Sequence, residues 1–181
     1  MSNAKETILD AFQELLASEG ERSATLDATA LSAGVSKGGL LYHFPNKESL
    51  VAALCQRLTV LVQEDLALMR HAAEGPARYY VRTSRYLGTV LDKALIAVSK
   101  LRQAGFEEAR SALELAEEGW LDEISIAVKN PAAALAVKLI GDGLYYEALL
   151  DHEEVLLASG RKREEQVAGL LTIVDEITRS H

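Results

Sequence analysis

The stretch that decides the fold runs from Ala33 to Leu50 and reads AGVSKGGLLYHFPNKESL. Gly34 can take the positive backbone angle that ends one helix, and Ser36 can cap the first free amides of the next. Upstream, Thr25 to Ala33 has the composition of another short helix. The two segments together have the spacing of a helix-turn-helix.

A helix-turn-helix indicates DNA binding, because its second helix can lie in the major groove. Gly38 and Gly39 fall in the first turn of that second helix, where each costs about 1 kcal/mol relative to alanine. Their missing side chains let the backbone approach base edges or a phosphate closely. Leu40 and Phe44 are four residues apart, so we expect both to face the interior of the domain.

The segment resembles the N-terminal domain of the TetR family of bacterial transcriptional regulators, whose pattern is close to T-x-x-x-I-A-x-x-A-G-V-S-x-G-x-L-Y-x-H-F-x-x-K-x-x-L. Thr29 stands where the pattern has isoleucine, and Leu41 stands where it has the first tyrosine. The family's operator preferences therefore do not transfer to this chain. The positions that match in order and spacing are Thr25, Ala30, Ala33 to Ser36, Gly38, Leu40, His43, Phe44, Lys47 and Leu50.

This resemblance implies an all-α protein with a three-helix helix-turn-helix domain at 1–46 and a larger helical domain for effector binding and dimerisation at 47–181. It implies a ligand-responsive regulator, in the commonest case a repressor that a small-molecule effector releases from its operator. The operator is expected to be palindromic or near-palindromic double-stranded DNA. The homodimer is expected to form through helices at 131–150 and 161–178, with ordinary core within one chain as the alternative interpretation of their apolar faces.

Nine residues are the candidate DNA contacts. In the family pattern His43 and Lys47 contact phosphates, whereas Lys37 can reach either guanine or a phosphate. Leu41 offers only an apolar contact, for example to a thymine methyl group, and Tyr42 is the neighbouring aromatic that can contact a phosphate. Structural roles compete with these: a helix cap, a histidine packed beside Phe44, a solvated lysine. The full set is Thr25, Ser36, Lys37, Gly38, Gly39, Leu41, Tyr42, His43 and Lys47.

The composition suits one small domain and one larger helical core, but its charge is unusual for a DNA-binding protein. The chain has 181 residues, 49% of them hydrophobic, and a formal net charge of -8. The first fifty residues carry four basic and seven acidic side chains. Because affinity for DNA depends on neutralising phosphates, we expect weak and salt-sensitive non-specific binding.

Helical periodicity runs through the whole chain, without strand alternation or repeats. The pattern predicts a first helix ending near Gly20 and a long one from Lys47 toward Met69, capped by Asn46. Asn130-Pro131 is a strong start signal for a helix to about Leu150. The other predicted helices are Ala77 to Asp92, a short connector from Leu95 to Leu101, Gly105 to Val128 and Arg161 to Thr178.

Aromatic residues of the larger domain are candidates for the effector pocket, although aromatics at helical spacing are more often plain core. Acidic residues between Glu107 and Glu123 are mostly a solvated helix face, but one facing inward would favour a cationic ligand. The aromatic candidates are Tyr86, Trp120, Tyr145 and Tyr146.

Other classes of protein fit the sequence less well. A single cysteine, Cys55, suits a reducing cytoplasm, and no segment is long and apolar enough for a membrane span. No histidine follows a glutamate by three residues, as a di-iron carboxylate site requires, and we predict neither enzyme activity nor a cofactor or metal. The remaining alternative is a helical protein-interaction module whose acidic DNA-binding head is vestigial.

Overall fold

In the computed structural model, residues 4–150 and 160–179 are described, and they form helices with no strand among them. The all-α fold class is confirmed. Across these two ranges the helices are α1 (Ala4–Glu19), α2 (Leu26–Ser32), α3 (Lys37–His43), α4 (Lys47–His71), α5 (Pro76–Thr83), α6 (Val90–Gln103), α7 (Glu107–Val128), α8 (Pro131–Leu150) and α9 (Gly160–Arg179).

Two asparagines start α4 and α8 as the sequence predicts. Asn46 Oδ1 accepts from the Ser49 amide at 2.8 Å. Asn130 Oδ1 accepts from the amides of Ala132 and Ala133 at 3.0 and 3.1 Å. In both cases a side-chain oxygen satisfies amides that have no partner within the helix.

The predicted helix from Ala77 to Asp92 is wrong, because the chain leaves the helical conformation after Thr83. A capping box starts α6 instead: Thr89 Oγ1 accepts from the Asp92 amide at 3.1 Å, and Asp92 Oδ2 accepts from the Thr89 amide at 2.9 Å. Gly88, at φ 70°, precedes the box. The predicted connector from Leu95 to Leu101 is therefore the interior of a longer helix.

Packing divides the described residues into two compact units. The first draws on Met1–Val62 and Gly88–Ala116, and the second on Gln63–Leu87 and Glu117–His181. Of the three boundaries, those at 62/63 and 116/117 fall inside helices α4 and α7, and the one at 87/88 falls between α5 and α6. Because α6 packs against α1, the unit that contains the helix-turn-helix extends beyond residue 46. A division of function at 46/47 stays a prediction.

The first unit has an apolar core that braces α2 and α3 on α1 and α4. Arg57 on α4 reinforces it with ion pairs of 2.7 Å to both Glu6 and Asp10 of α1. Burial raises the pKa of the Cys55 thiol to about 11, so this cysteine is an inert core residue at neutral pH. The largest fully buried side chains of the unit include Ile8, Phe12, Leu16, Leu40, Leu50, Leu54 and Leu58.

The second unit packs α5 against α8 and α9. Arg78 on α5 forms an ion pair of 2.8 Å with Asp175 on α9. Gly119 on α7 leaves room for Leu66 of α4, whose Cδ1 would lie 2.9 Å from an added Cβ. The buried apolar side chains of the unit include Leu66, Met69, Val81, Trp120, Ile124, Val137 and Val174.

Candidate nucleic-acid interface and effector site

The turn between α2 and α3 has the geometry that its glycine predicts. Gly34 has a φ of 67°, in the left-handed region that suits glycine. The Val35 amide donates to the Ala30 carbonyl at 3.0 Å, and the Gly34 amide donates to the Leu31 carbonyl at 3.1 Å. These two bonds form a Schellman motif, which fixes the angle at which the chain enters α3.

Exposed hydroxyl groups cap both helices of the helix-turn-helix. Thr25 Oγ1 accepts from the Ala28 amide at 3.2 Å, and Ser36 Oγ accepts from the Gly39 amide at 3.0 Å. A hydroxyl that accepts one hydrogen bond can still donate its own proton. Thr25 and Ser36 can therefore keep their caps while donating to a phosphate.

Helix α3 presents one face to the interior and the other to solvent. Leu40 and Phe44, its C-cap residue, are buried as predicted. Lys37, Leu41 and Tyr42 are all exposed; at about 100° per residue, Tyr42 lies opposite Leu40, whereas Lys37 and Leu41 lie to one side. Tyr42 is 85% exposed, although a tyrosine normally loses most of its surface in a fold. The face is thus available to a partner.

The two glycines of α3 have different structural roles. A Cβ at Gly39 would lie 3.2 Å from Ser36 Oγ, the atom that caps the helix. A Cβ at Gly38 would meet nothing within 4 Å. Since Gly38 is exposed in the first turn of α3 and an added Cβ would meet open space, packing does not require a glycine there, and its backbone stays uncovered on the exposed face.

Each lysine among the candidate DNA contacts has an acidic partner that sequence reasoning missed. Lys37 Nζ lies 2.9 Å from Asp27 Oδ1 and 3.0 Å from Oδ2. Lys47 Nζ lies 2.6 Å from Glu21 Oε1 and also donates to the Glu21 carbonyl at 3.0 Å. These partners are 10 and 26 residues away in sequence, beyond the reach of a local pattern.

His43 and Leu31 complete the neighbourhood of α3. The His43 ring is half-buried, and its centroid lies 5.1 Å from that of Tyr42 in an edge-to-face arrangement. Leu31 on α2 is 84% exposed and was not among the predicted contacts. The family pattern leaves its position unspecified, so no signal in the sequence marked it.

The second unit holds a polar network around a buried lysine. The side chain of Lys138 is only 6% exposed, and its Nζ lies 2.7 Å from Asp142 Oδ2 and 3.1 Å from Glu117 Oε2. Tyr80 donates its hydroxyl to Asp142 Oδ1 at 2.6 Å. Burial, followed by this hydrogen bond, raises the pKa of Tyr80. The network joins α5, α7 and α8.

Asp65 on α4 is the other acidic centre of the second unit. It accepts from the Trp120 indole N–H and from the Tyr79 hydroxyl, both at 2.8 Å. Burial and the hydrogen bond to Asp65 raise the pKa of Tyr79 to about 12. The rings of Tyr80 and Trp120 lie 6.1 Å apart, so aromatic side chains connect the two acidic centres.

The four predicted effector residues are placed differently. Trp120 is buried and belongs to this network. Tyr86 is half-buried in the segment between α5 and α6, and Tyr145 is half-buried on α8. Tyr146 is largely exposed on α8. The sequence analysis missed Asp65, Tyr79, Tyr80, Lys138 and Asp142, and the only available signal was the i,i+4 spacing of the last two.

Within residues 4–150 and 160–179, no helix combines the length and apolar character needed to cross a membrane. Over the same ranges, no group of three or more His, Cys, Asp or Glu side chains is placed to hold a metal ion.

Comparison with known proteins agrees with the helix-turn-helix. Residues 8–54 match the family described as bacterial regulatory proteins, tetR family. The N-terminal domain of the chain is thus similar to that family. The chain is 31% identical over 84 residues to the HTH-type transcriptional repressor AcnR of Corynebacterium glutamicum. That alignment covers 43% of this chain and 45% of AcnR, so it spans less than half of the curated relative.

Solved structures share the fold over almost the whole chain. A TetR-family transcriptional regulator from Rhodococcus sp. has a TM-score of 0.70 at 20% identity, covering 98% of this chain and 100% of that one. A transcriptional regulator from Saccharomonospora viridis in complex with choline has a TM-score of 0.72 at 16% identity, covering 100% and 98%. At these identities the likeness establishes the fold alone.

Proposed function

We propose that this protein is a ligand-responsive transcriptional regulator of the bacterial cytoplasm that binds a palindromic operator as a homodimer. In its simplest form it is a repressor that a small molecule releases from DNA. The observation that carries the DNA-binding part is the exposed face of α3, where Tyr42 projects into solvent and Gly38 leaves backbone uncovered. The fold requires neither feature, whereas a helix that lies in a major groove can use both.

The proposed contacts divide into those that position the protein and those that read bases. Thr25 and Ser36 donate to phosphates, and Lys47 and His43 interact with the same backbone. Leu41 and Tyr42 lie on the face that enters the groove, with Gly38 and Gly39 allowing close approach, and Lys37 reaches either a phosphate or guanine. Leu41 gives this chain a base preference that differs from that of relatives with tyrosine at the position.

The proposed dimer forms through α8 and α9. Leu135, Leu139 and Tyr146 are exposed on α8, and Ile173 is exposed on α9. Large apolar side chains at these positions suit a second copy, which the two-fold symmetry of an operator also requires. Val174 on α9, in contrast, is fully buried within the chain. The side chain of Leu150 lies outside the described residues.

The effector is proposed to bind at the aromatic and acidic network of the second unit. Three carboxylates, those of Asp65, Glu117 and Asp142, stand against the single ammonium of Lys138. Asp65 accepts from neutral donors, so its charge is not balanced by those two hydrogen bonds. Carboxylates beside aromatic rings favour an organic cation. The Saccharomonospora viridis regulator of the same fold is in complex with choline, which belongs to this class.

A connection between effector and DNA follows from α4, which carries Lys47 at its start and Asp65 eighteen residues later. A ligand that draws Asp65 away from Trp120 and Tyr79 would act on the same helix that begins at the DNA-binding head. Binding energy that differs between two positions of α4 would then change DNA affinity.

Gly38→Ala separates the DNA-binding role from the fold. The helix should gain about 1 kcal/mol of stability, because alanine has the higher helix propensity and its Cβ meets open space. DNA affinity should fall at least tenfold. To obtain an operator for the measurement, fragmented DNA of the source genome is incubated with the purified protein at low salt, and the retained fragments are sequenced.

Thermal unfolding and fluorescence anisotropy with that operator then give stability and affinity for both proteins. A variant that is more stable and binds DNA as well as the original would refute the assignment of α3 as the reading helix. Failure of the original protein to enrich any sequence, with the cation site emptied by dialysis, would favour the interaction-module alternative.

Trp120, the only tryptophan, reports directly on the proposed effector site. Choline should change its fluorescence, whereas 3,3-dimethylbutanol, an uncharged molecule of the same shape, should do so far more weakly. Asp65→Asn should abolish the difference between the two by removing the carboxylate. Equal responses to both molecules would contradict cation recognition without bearing on DNA binding.

A further inference from the structure

We propose that Asp27 competes with DNA for the ammonium group of Lys37 and thereby lowers the DNA affinity of the protein. The inference rests on the proposed function, since it assumes that the exposed face of α3 meets DNA. It assigns a role to a residue outside the helix that reads the groove. In the absence of DNA, the Asp27 carboxylate takes the place that a phosphate oxygen would occupy on Lys37.

The geometry of the pair supports exchange. Both Asp27 oxygens lie within 3.0 Å of Lys37 Nζ, so the ammonium is directed toward the carboxylate. The side chains are 57% exposed for Lys37 and 72% for Asp27. Ion pairs this exposed are weak, because water screens them and ordering two flexible side chains costs entropy. A phosphate can therefore displace the carboxylate.

The pair of Lys47 with Glu21 behaves differently and gives the contrast. Its side chains are only 23% and 26% exposed, and Lys47 also donates to the Glu21 carbonyl. Two acceptors and partial burial fix this ammonium in place, with one of its three N–H donors left for a phosphate. Lys47 can meet DNA without leaving Glu21, whereas the Lys37 ammonium is held by a carboxylate alone in the bonds that the structure records.

The cost to DNA binding has two parts. Lys37 loses its partner when it turns to DNA, and Asp27 is left as an exposed negative charge near phosphates. An unpaired Asp27 also attracts a cation from solution, which offsets the cation that Lys37 releases from the DNA. With only four basic residues among the first fifty, the loss of one phosphate contact is a large fraction of the available charge.

A double-mutant cycle tests the proposal on the operator selected from genomic DNA. Asp27→Asn should raise DNA affinity about threefold, the scale set by an exposed ion pair. The slope of log affinity against log salt should become steeper, by less than about 0.9, the value for one phosphate contact. In the Lys37→Met background, the gain from Asp27→Asn should shrink, because no ammonium remains to be released.

Glu114→Gln is the matched control. It removes the same charge from an exposed ion pair, because Glu114 pairs with Arg110 at 2.7 Å on the exposed side of α7, and Arg110 keeps its second partner, Glu107. The control should leave DNA affinity unchanged if the effect of Asp27 is local, and circular dichroism should show all variants folded.

The outcomes distinguish this inference from the proposed function. Equal gains from Asp27→Asn with and without Lys37 would mean that Asp27 only repels phosphate, which overturns the competition. An unchanged affinity in Asp27→Asn, with the original protein binding its operator, would also overturn it and leave the proposed function intact. If neither the original protein nor the Asp27→Asn variant binds any DNA sequence, the proposed function fails and the inference fails with it.

Discussion

The helix-turn-helix at residues 25–44, called the head below, and the polar network of the second unit both consist of hydrogen-bonded polar side chains. They differ in how far apart along the chain the bonded residues lie. In the head, Thr25 and Ser36 each bind an amide three residues away. In the second unit, Trp120 donates to an aspartate 55 residues earlier, and Tyr80 donates to one 62 residues later. One region is specified locally and the other by tertiary packing.

That difference explains which parts of the molecule the sequence predicts. Helix caps and glycine turns depend on residues within one turn of each other, so their residue types carry the information. A buried network depends on which helices meet, and no local pattern records that. The comparison also predicts that single substitutions are more destabilising in the network than in the head.

The largest effect is expected from Asp142→Ala. This change leaves the ammonium of Lys138, whose side chain is 6% exposed, with Glu117 as its remaining ion-pair partner among the described residues, and it removes the acceptor of Tyr80. Breaking a buried pair in this way costs about 3 kcal/mol. Urea unfolding followed by Trp120 fluorescence measures the loss within the second unit.

Lys138→Met provides the comparison. Asp142 and Glu117 are 40% and 57% exposed in their side chains, so water can solvate both carboxylates once the ammonium is gone. The expected loss is therefore smaller than for Asp142→Ala. If the lysine variant proves the less stable of the two, the cost does not arise from stranding a buried ammonium.

The second-largest effect is a loss of stability about one third smaller than that of Asp142→Ala. It distinguishes two glycines of α8, Gly141 and Gly143, that look equivalent in sequence. A Cβ at Gly141 would overlap the Tyr80 ring and lie 2.7 Å from Ser84 Oγ, whereas one at Gly143 would meet nothing within 4 Å. Gly141→Ala should lose about 2 kcal/mol because the ring that reaches Asp142 must shift. Gly143→Ala should gain up to about 1 kcal/mol from helix propensity.

The same urea experiment decides this pair. Equal stabilities for the two alanine variants would show that Tyr80 can move away without cost, which would remove the reason for a glycine at 141. Neither outcome is visible from the sequence, where both positions are simply glycines in an apolar helix.

Most of the fold could be predicted from the sequence, and the prediction contains one clear error. Helices α1 to α4 and α7 to α9 follow from caps, breakers and periodicity. The predicted helix from Ala77 to Asp92 runs past Thr83 into the start of α6, although Thr89 and Asp92 form a capping box that marks a helix start. Because this capping box is a local signal, the start of α6 could be predicted from the sequence.

The candidate site could be predicted only in part. The exposed face of α3 follows from its period, and Gly34 and Ser36 behave as their residue types require. The partners of Lys37 and Lys47 could not be predicted, because the turn brings Asp27 and Glu21 to them across helices. How far the Lys37 ammonium is available to a partner therefore depends on Asp27, which no local pattern identifies.

The smallest expected effect concerns a buried hydroxyl group of the head. Thr29 is fully buried, and its Oγ1 has no hydrogen-bond partner among the described residues. Thr29→Val keeps the shape and removes the hydroxyl, so it should raise stability by about 1 kcal/mol. The TetR pattern has isoleucine here, which agrees with an apolar environment.

Thr59→Val is the control, because Thr59 Oγ1 donates to the Cys55 carbonyl at 3.1 Å and valine would lose that bond. Thermal unfolding followed by circular dichroism should move the two variants in opposite directions, with DNA affinity unchanged in Thr29→Val. A less stable Thr29→Val would mean that its hydroxyl is bonded in solution. The buried polar side chains described in the head would then be hydrogen-bonded, as they are in the network. The two regions would differ only in how far apart in sequence the bonded residues lie.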